Sequence, residues 1–158
     1  MGKYPSHAHH EAAPTRETAV HFYGRYEHSL DGRGRVAIPA VYRRELHDGG
    51  VLRPADEGCL ELYTHEGFRE ETARRLCDSG TRRRSDRQRR RAFLPDAFGF
   101  SQLDQQGRIV IPQEMREHAG LEGRVTLVGL GDYVEVWDPE RWAAARQAAA
   151  EAAMEDDE

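Results

Sequence analysis

Asp31 and Arg35 lie in "LDGRGRVAIP" (residues 30–39), and Asp104 and Arg108 lie in "LDQQGRIVIP" (residues 103–112). In both stretches a carboxylate precedes a guanidinium by four positions, with a glycine just before the arginine and a short apolar run after it. An aspartate can accept hydrogen bonds from its own downstream backbone, and glycine tolerates positive φ. Asp31, Gly34, Asp104 and Gly107 are therefore expected to shape tight reversals between strands. Arginine offers a planar fork that matches both the O6/N7 edge of guanine and phosphate oxygens, and a two-stranded ribbon fits the major groove of DNA. The plainer alternative has Arg35 and Arg108 pairing with the aspartates or lying along the sheet. Arg33 on the first turn, with Arg25 upstream, tips the arginines toward a contact with double-stranded DNA. Gln105 and Gln106 occupy the second turn, so the first copy is expected to be the stronger contact. A single turn grips too few phosphates to hold DNA at cellular salt; repetition within the chain and by self-association supplies avidity.

Catalysis is a poorer use of these residues. His28, Ser29 and Asp31 contain the types of a nucleophile–base–orienter set. Adjacent strand residues point to opposite faces, however, and the second copy has Ser101 and Gln102 where the first has His28 and Ser29. Only Asp and Gly-Arg recur. The sequence contains no GxGxxG, P-loop or HExxH signature. "HAHH" at residues 7–10 has no fourth ligand in a structured context. The chain is expected not to be an enzyme, and no cofactor, metal or small-molecule substrate is expected.

The elements that must position the turns come in two sets. The match extends outward: Arg43 aligns with Arg116, and "CLELYTHEGF" (59–68) overlays "YVEVWDPERW" (133–142). Each unit of about 50 residues reads as strand, turn, strand, short helix, strand, turn, strand, helix. Pro39 and Pro112 sit near the first turn of the short helices, and Gly120 suits a helix C-terminus. Thr64 and Asp138 are expected to cap the second helices, with Pro139 at the first helical position. Phe68, Thr72 and Leu76 form an apolar stripe on one of these; Trp142, Ala145 and Ala149 form the other. Strands of about five residues are too short to stand as isolated hairpins, so the two units must share a sheet or interleave. The expected fold is mostly β with short helices (α+β), a pseudo-two-fold arrangement of two repeated units in one chain with helices covering a barrel-like sheet. The expected organisation is a flexible extension over 1–21, the first repeat over 22–78, an Arg-rich connecting helix within 79–99, the second repeat over 100–146, and an acidic tail over 147–158. Nine arginines fall between residues 74 and 91. Ser85 or Asp86 could cap a helix there, with Phe93 and Leu94 as anchors. Arg43 and the Arg82–Arg91 stretch are secondary phosphate candidates.

Composition limits the class. The chain has 158 residues and a formal net charge of −5. Residues 100–158 hold 5 basic against 13 acidic residues, while residues 1–99 hold 18 against 15. An acidic tail thus cancels the net charge without touching a local basic surface. No apolar run approaches the roughly 20 residues of a membrane helix, and no membrane partner is expected. Cys59 and Cys77 lack metal-site spacing, which favours buried thiols in a reducing, cytoplasmic compartment.

With "FYGRYEHSLDGRGRVAIPAVYR", "DQQGRIVIP", "REHAGL" and "VTLVGLGDYVEVWDPERW" in view, residues 22–146 resemble the MraZ family of bacterial transcriptional regulators. These are tandem relatives of AbrB-type swapped-hairpin DNA-binding domains. The resemblance implies a double swapped-hairpin barrel, assembly of identical chains into a ring, nucleoid association, and DNA contacts through the signature motifs, here Asp31 to Arg35 and Asp104 to Arg108. It implies targets that are short direct repeats upstream of the division and cell-wall gene cluster, including the chain's own promoter. Arg33 stands where the family usually has lysine. The alternative reading is a ring-forming protein-interaction scaffold without specific DNA binding; equal, weak binding to its own upstream DNA and to an unrelated duplex would favour it.

Overall fold

The computed structural model describes residues 20–76 and 80–156. The "HAHH" stretch at residues 7–10, with most of the N-terminal extension, and Cys77 lie outside the described residues. The first repeat contains β1 (Arg25–Ser29), β2 (Arg35–Ala37), α1 (Ala40–Arg43), β3 (Gly50–Pro54), β4 (Leu60–Tyr63) and α2 (His65–Leu76). Helix α3 (Arg84–Phe93) connects it to the second, which contains β5 (Phe98–Phe100), β6 (Arg108–Val110), α4 (Gln113–Ala119), β7 (Arg124–Gly129), β8 (Val134–Trp137) and α5 (Pro139–Asp156).

The repeats interleave. Six strands form one sheet in the order β1-β7-β8-β4-β3-β5, and β2 with β6 forms a separate two-stranded ribbon. The opening strand of each repeat pairs antiparallel with the third strand of the other: β1 with β7, and β5 with β3. The turn between β1 and β2 therefore does not close a regular hairpin. Within the repeat, among the described residues, the backbone of those strands forms one isolated bridge, Leu30–Val36, while β2 finds its ladder on β6. The pseudo-dyad passes between β4 and β8, where Glu61 faces Glu135, and through the ribbon, where Val36 faces Ile109. This is the double swapped-hairpin arrangement.

Apolar residues from both repeats fill one core. Val36, Ile38, Tyr42, Leu46, Leu52, Leu60 and Leu62 meet Ile109, Ile111, Met115, Val125, Leu127, Val134 and Val136. Tyr42 receives Phe22 and Tyr26 edge-on, each at 5.3 Å, and its hydroxyl donates to the carbonyls of Tyr23 and Gly24. Burial pushes that phenol up to about 12. The polar tip is thus satisfied while the ring supplies core contact.

Helix boundaries follow local chemistry. The backbone N–H of Gly67 donates to Thr64 Oγ1 at 2.9 Å, and that of Arg141 to Asp138 Oδ2 at 3.1 Å. Pro39 and Pro112 occupy the N-cap position at the first turn of α1 and α4, and Gly120 ends α4 with φ +63°. Helix α3 departs from expectation at its start: Arg83 is the N-cap, with no side-chain capping bond, and Asp86 is buried inside the first turn. The expected stripe on α5 packs only through Trp142 and Ala145, while Ala149 is exposed.

The repeats differ across the helix-covered face of the sheet. Arg53 donates to Glu61 at 2.8 Å, with both side chains buried, and its guanidinium lies 4.5 Å from the centre of the Phe93 ring. Among the described residues no arginine pairs with the matching Glu135; it accepts from Trp137 Nε1 at 3.1 Å and from the Cys59 thiol at 3.7 Å. Burial, aided by repulsion from Glu57 and Glu61, holds the Glu135 carboxyl above its ordinary range. An acid raised in the folded state destabilises it as pH rises through that value. Glu135→Gln is expected to raise Tm by about 2–4 °C above neutrality, with the gain shrinking in acid, as measured by calorimetry across pH. Arg53→Ala leaves Glu61 buried beside only the more distant Arg75 and is expected to cost about 3 kcal/mol in urea unfolding.

Candidate nucleic-acid interface

Both turns are built the same way. In the first, the N–H of Gly34 donates to the carbonyl of Asp31, and the N–H of Asp31 donates to the carbonyl of Arg35. In the second, Gly107 and Asp104 make the same bonds with Asp104 and Arg108. Gly34 and Gly107 sit at φ +77° and +72°, the left-handed conformation that lets the strand resume after the reversal.

The aspartates organise these turns from inside. Asp31 Oδ1 accepts the backbone N–H groups of Arg33 at 2.9 Å and Arg35 at 2.8 Å, and Oδ2 accepts Arg35 Nε at 2.7 Å. Asp104 does the same with the N–H groups of Gln106 and Arg108 and with Arg108 Nε, all at 2.8 Å. The N–H of Arg35 is the largest cause holding the Asp31 carboxyl below its ordinary value, with the Arg35 guanidinium and the N–H of Arg33 adding to it; Asp104 is lowered by the matching groups of Arg108 and Gln106. The arginines do pair with the aspartates, as the plainer sequence reading had it, each hydrogen-bonding the aspartate of its own turn through Nε. Among the described residues no hydrogen bond engages the terminal Nη atoms of Arg35 or Arg108. A fork gripped at its base keeps its two outer donors in a fixed plane.

The turns are also neighbours. Arg108 Nη1 lies 3.6 Å from Asp31 Oδ2, so Asp31 stands between the guanidinium groups of Arg35 and Arg108. The antiparallel register of the ribbon sets Arg35 opposite Val110 and Ala37 opposite Arg108. The carbonyls of Gly107 and Gly34 accept from the N–H groups of Ile38 and Ile111, each across the repeat boundary. Arg33 is exposed beyond this pair.

Arg43 has a second occupation. Its Nε donates to the carbonyl of Ile38 at 2.9 Å, and its guanidinium covers Gly107, where an added Cβ would come within 2.5 Å of Nε. Arg116 covers Gly34 in the same manner, at 2.9 Å from such a Cβ to Cζ. Each turn is thus roofed by an arginine of the other repeat. Arg116 belongs to this geometry although it is absent from the sequence-derived candidates; its alignment with Arg43 was the available signal. His28 lies on the opposite side of β1 from Ser29 and its ring bonds the carbonyl of Ala37 at 2.7 Å, so the two do not converge. Among the described residues no group of three or more His, Cys, Asp or Glu side chains is arranged to hold a metal, and no helix is long and apolar enough to cross a membrane.

A profile described as "MraZ protein, putative antitoxin-like" matches residues 21–89 and 99–158. The chain belongs to the MraZ family. Among its relatives, the "Transcriptional regulator MraZ" of Thermomicrobium roseum is 38% identical over 123 residues, covering 78% of this chain and 85% of the relative. That of Roseiflexus castenholzii is 40% identical over 121 residues, 77% of this chain and 83% of the relative. That of Acetivibrio thermocellus is 39% identical over 124 residues, again 77% and 83%. The first matched segment ends within α3 and the second begins within β5.

Two outcomes are expected of the turns. Gly34→Ala and Gly107→Ala should each cost about 1–2 kcal/mol by forcing a side chain into left-handed backbone, read from urea unfolding. Because both carboxyls are lowered, their stabilisation is complete above the ordinary aspartate value of 3.8 and is lost as pH falls through the lower folded value. NMR titration of the Asp31 and Asp104 carboxyls should give midpoints below 3.8.

Proposed function

We propose that this MraZ chain is a sequence-specific, DNA-binding transcriptional regulator with no catalytic step, and that its paired Asp-x-x-Gly-Arg turns enter the major groove. The observation that carries this reading is the clamp on Arg35 and Arg108. Each guanidinium is fixed at Nε by an aspartate of its own turn; this leaves Arg35 the pair of Nη donors that a guanine edge requires, while Arg108 Nη1 also faces Asp31 at 3.6 Å. The relatives' shared name supports the regulatory role. Arg35 reads a base; Arg108 supplies the second contact; Arg33 grips phosphate; Arg43 holds the second turn and offers its outer donors to the backbone of the duplex.

Asp31 and Asp104 cancel much of the charge of Arg35 and Arg108, so a single copy of the site is a weak electrostatic grip. The reading therefore includes self-association into a homo-oligomeric ring that places several turn pairs along DNA, on short direct repeats in the chain's own promoter, upstream of the division and cell-wall cluster. A nucleoid location follows from that role.

Arg35→Ala is expected to lower affinity for the chain's own upstream DNA by about 1–3 kcal/mol per site while leaving the far-UV spectrum and Tm close to the parent. Wild-type affinity in the variant, in gel shifts at fixed salt, would refute the assignment. Log affinity should fall linearly with log salt, by about 0.9 per phosphate neutralised; a flat response would count against the phosphate grip.

A further inference from the structure

Helix α5 lacks a partner for most of its length. It runs 18 residues, none of them buried, and touches the body mainly through Trp142 and Ala145. Its last turns, Ala148 to Asp156, are alanine-rich and exposed, with Met154 at 73% exposure. A helical segment this short is marginal in water without tertiary packing.

An open groove of about 450 Å³ runs beside the start of the same helix, between α5 and β1. Trp142, Ala143, Ala150 and Thr126 form its apolar floor and walls, and Arg25 and Arg146 stand on its rim with Glu27. Pseudo-symmetry explains why it is open. On the matching flank of the first repeat, α3 lies against α2: Phe93 stacks on Phe68 with ring centres 5.6 Å apart and is buried. Trp142 is the repeat counterpart of Phe68, and among the described residues no aromatic ring stacks on it as Phe93 does on Phe68.

We propose that the groove is a docking site for the C-terminal end of α5 from a second copy of the chain. The inference rests on the self-association in the preceding reading and assigns it a surface. Charge selects the occupant. The exposed end of α5 carries Met154 as an apolar anchor and Glu151, Glu155 and Asp156 as acids, which meet Arg146 and Arg25 on the rim. The other exposed helix, α3, presents arginines at 84, 87, 89 and 91 and would place like charges against that rim. Besides Trp142 and Arg146, the α5 residues that line the groove are Pro139, Ala143, Gln147 and Ala150, on a stripe that continues to Met154 at helical spacing, so one face of the helix serves both as groove wall and as insert. Every copy then supplies a groove and an insert, and the contact can recur from chain to chain.

Sedimentation velocity of the full chain at physiological ionic strength, with circular dichroism as the folding control, tests this. Arg146→Glu and Glu155→Arg, each alone, should raise the concentration needed for assembly about tenfold, the effect of roughly 1.4 kcal/mol. The two together restore the attraction and should return assembly toward the parent. Met154→Asp, on a solvent-exposed position, should weaken assembly without lowering Tm. Parent-like assembly in all variants, or loss in the singles without recovery in the double, overturns the α5 contact while self-association stands. A parent chain that sediments as a monomer at every concentration overturns both.

Discussion

Neither repeat of this chain can complete a sheet with its own strands, and the exchange that completes both is the constraint on which the rest of the structure depends. Each opening strand must cross to the third strand of the other repeat, which pulls β2 and β6 away from their own units and onto each other. The consequence reaches the surface directly. The two Asp-x-x-Gly-Arg turns sit at the junctions where the crossing strands reverse, so the pairing that closes the core also sets the turns side by side. Backbone bonds from Ile38 to Gly107 and from Ile111 to Gly34 tie each turn to the opposite repeat, and the guanidinium groups of Arg43 and Arg116 roof the turn glycines. The turn geometry is thus a property of the pair of repeats rather than of either alone.

Symmetry at the ribbon contrasts with its loss at the other face of the sheet. Around the turns the two repeats differ mainly in Arg33 and Gly32 against Gln106 and Gln105, a difference in charge on an unchanged backbone. On the helix-covered face the first repeat has Arg53 against Glu61 and Phe93 against Phe68, whereas the second leaves Glu135 beside a tryptophan and a thiol. The inserted α3 accounts for much of this, since it brings Phe93 over Arg53 and Arg75. The first repeat carries α3 against α2; the second keeps an open groove along α5.

Much of this was legible in the residues. The ten-residue repeat, the caps at Thr64 and Asp138 and the helix end at Gly120 follow from local chemistry that tertiary context does not override, and short strands showed that the units must share a sheet or interleave. The clamp of Asp31 on Arg35 was legible as one of two alternatives; spacing alone could not show that it engages Nε and leaves the outer donors. Three features required the fold. Strand exchange is invisible to periodicity, because β2 has the same alternation whether it pairs with β1 or with β6. The roofing role of Arg43 and Arg116 depends on contacts between repeats, Arg43 with Gly107 and Arg116 with Gly34, that are distant in sequence. The start of α3 misled because Ser85 and Asp86 are good capping types, yet Asp86 is drawn into the interior and the helix begins a turn earlier.

The central claim is that a carboxylate-clamped arginine fork reads a base edge in the major groove. Guanine-N7 methylation interference on the chain's own upstream DNA tests it most directly, because methylation blocks the acceptor that the fork needs without altering a phosphate. The account predicts strong interference at one or more guanines in each bound repeat, and loss of that interference, along with affinity, in a chain lacking the Arg35 guanidinium. Binding that tolerates methylation at every guanine, while remaining sensitive to phosphate ethylation, would contradict base reading by these turns.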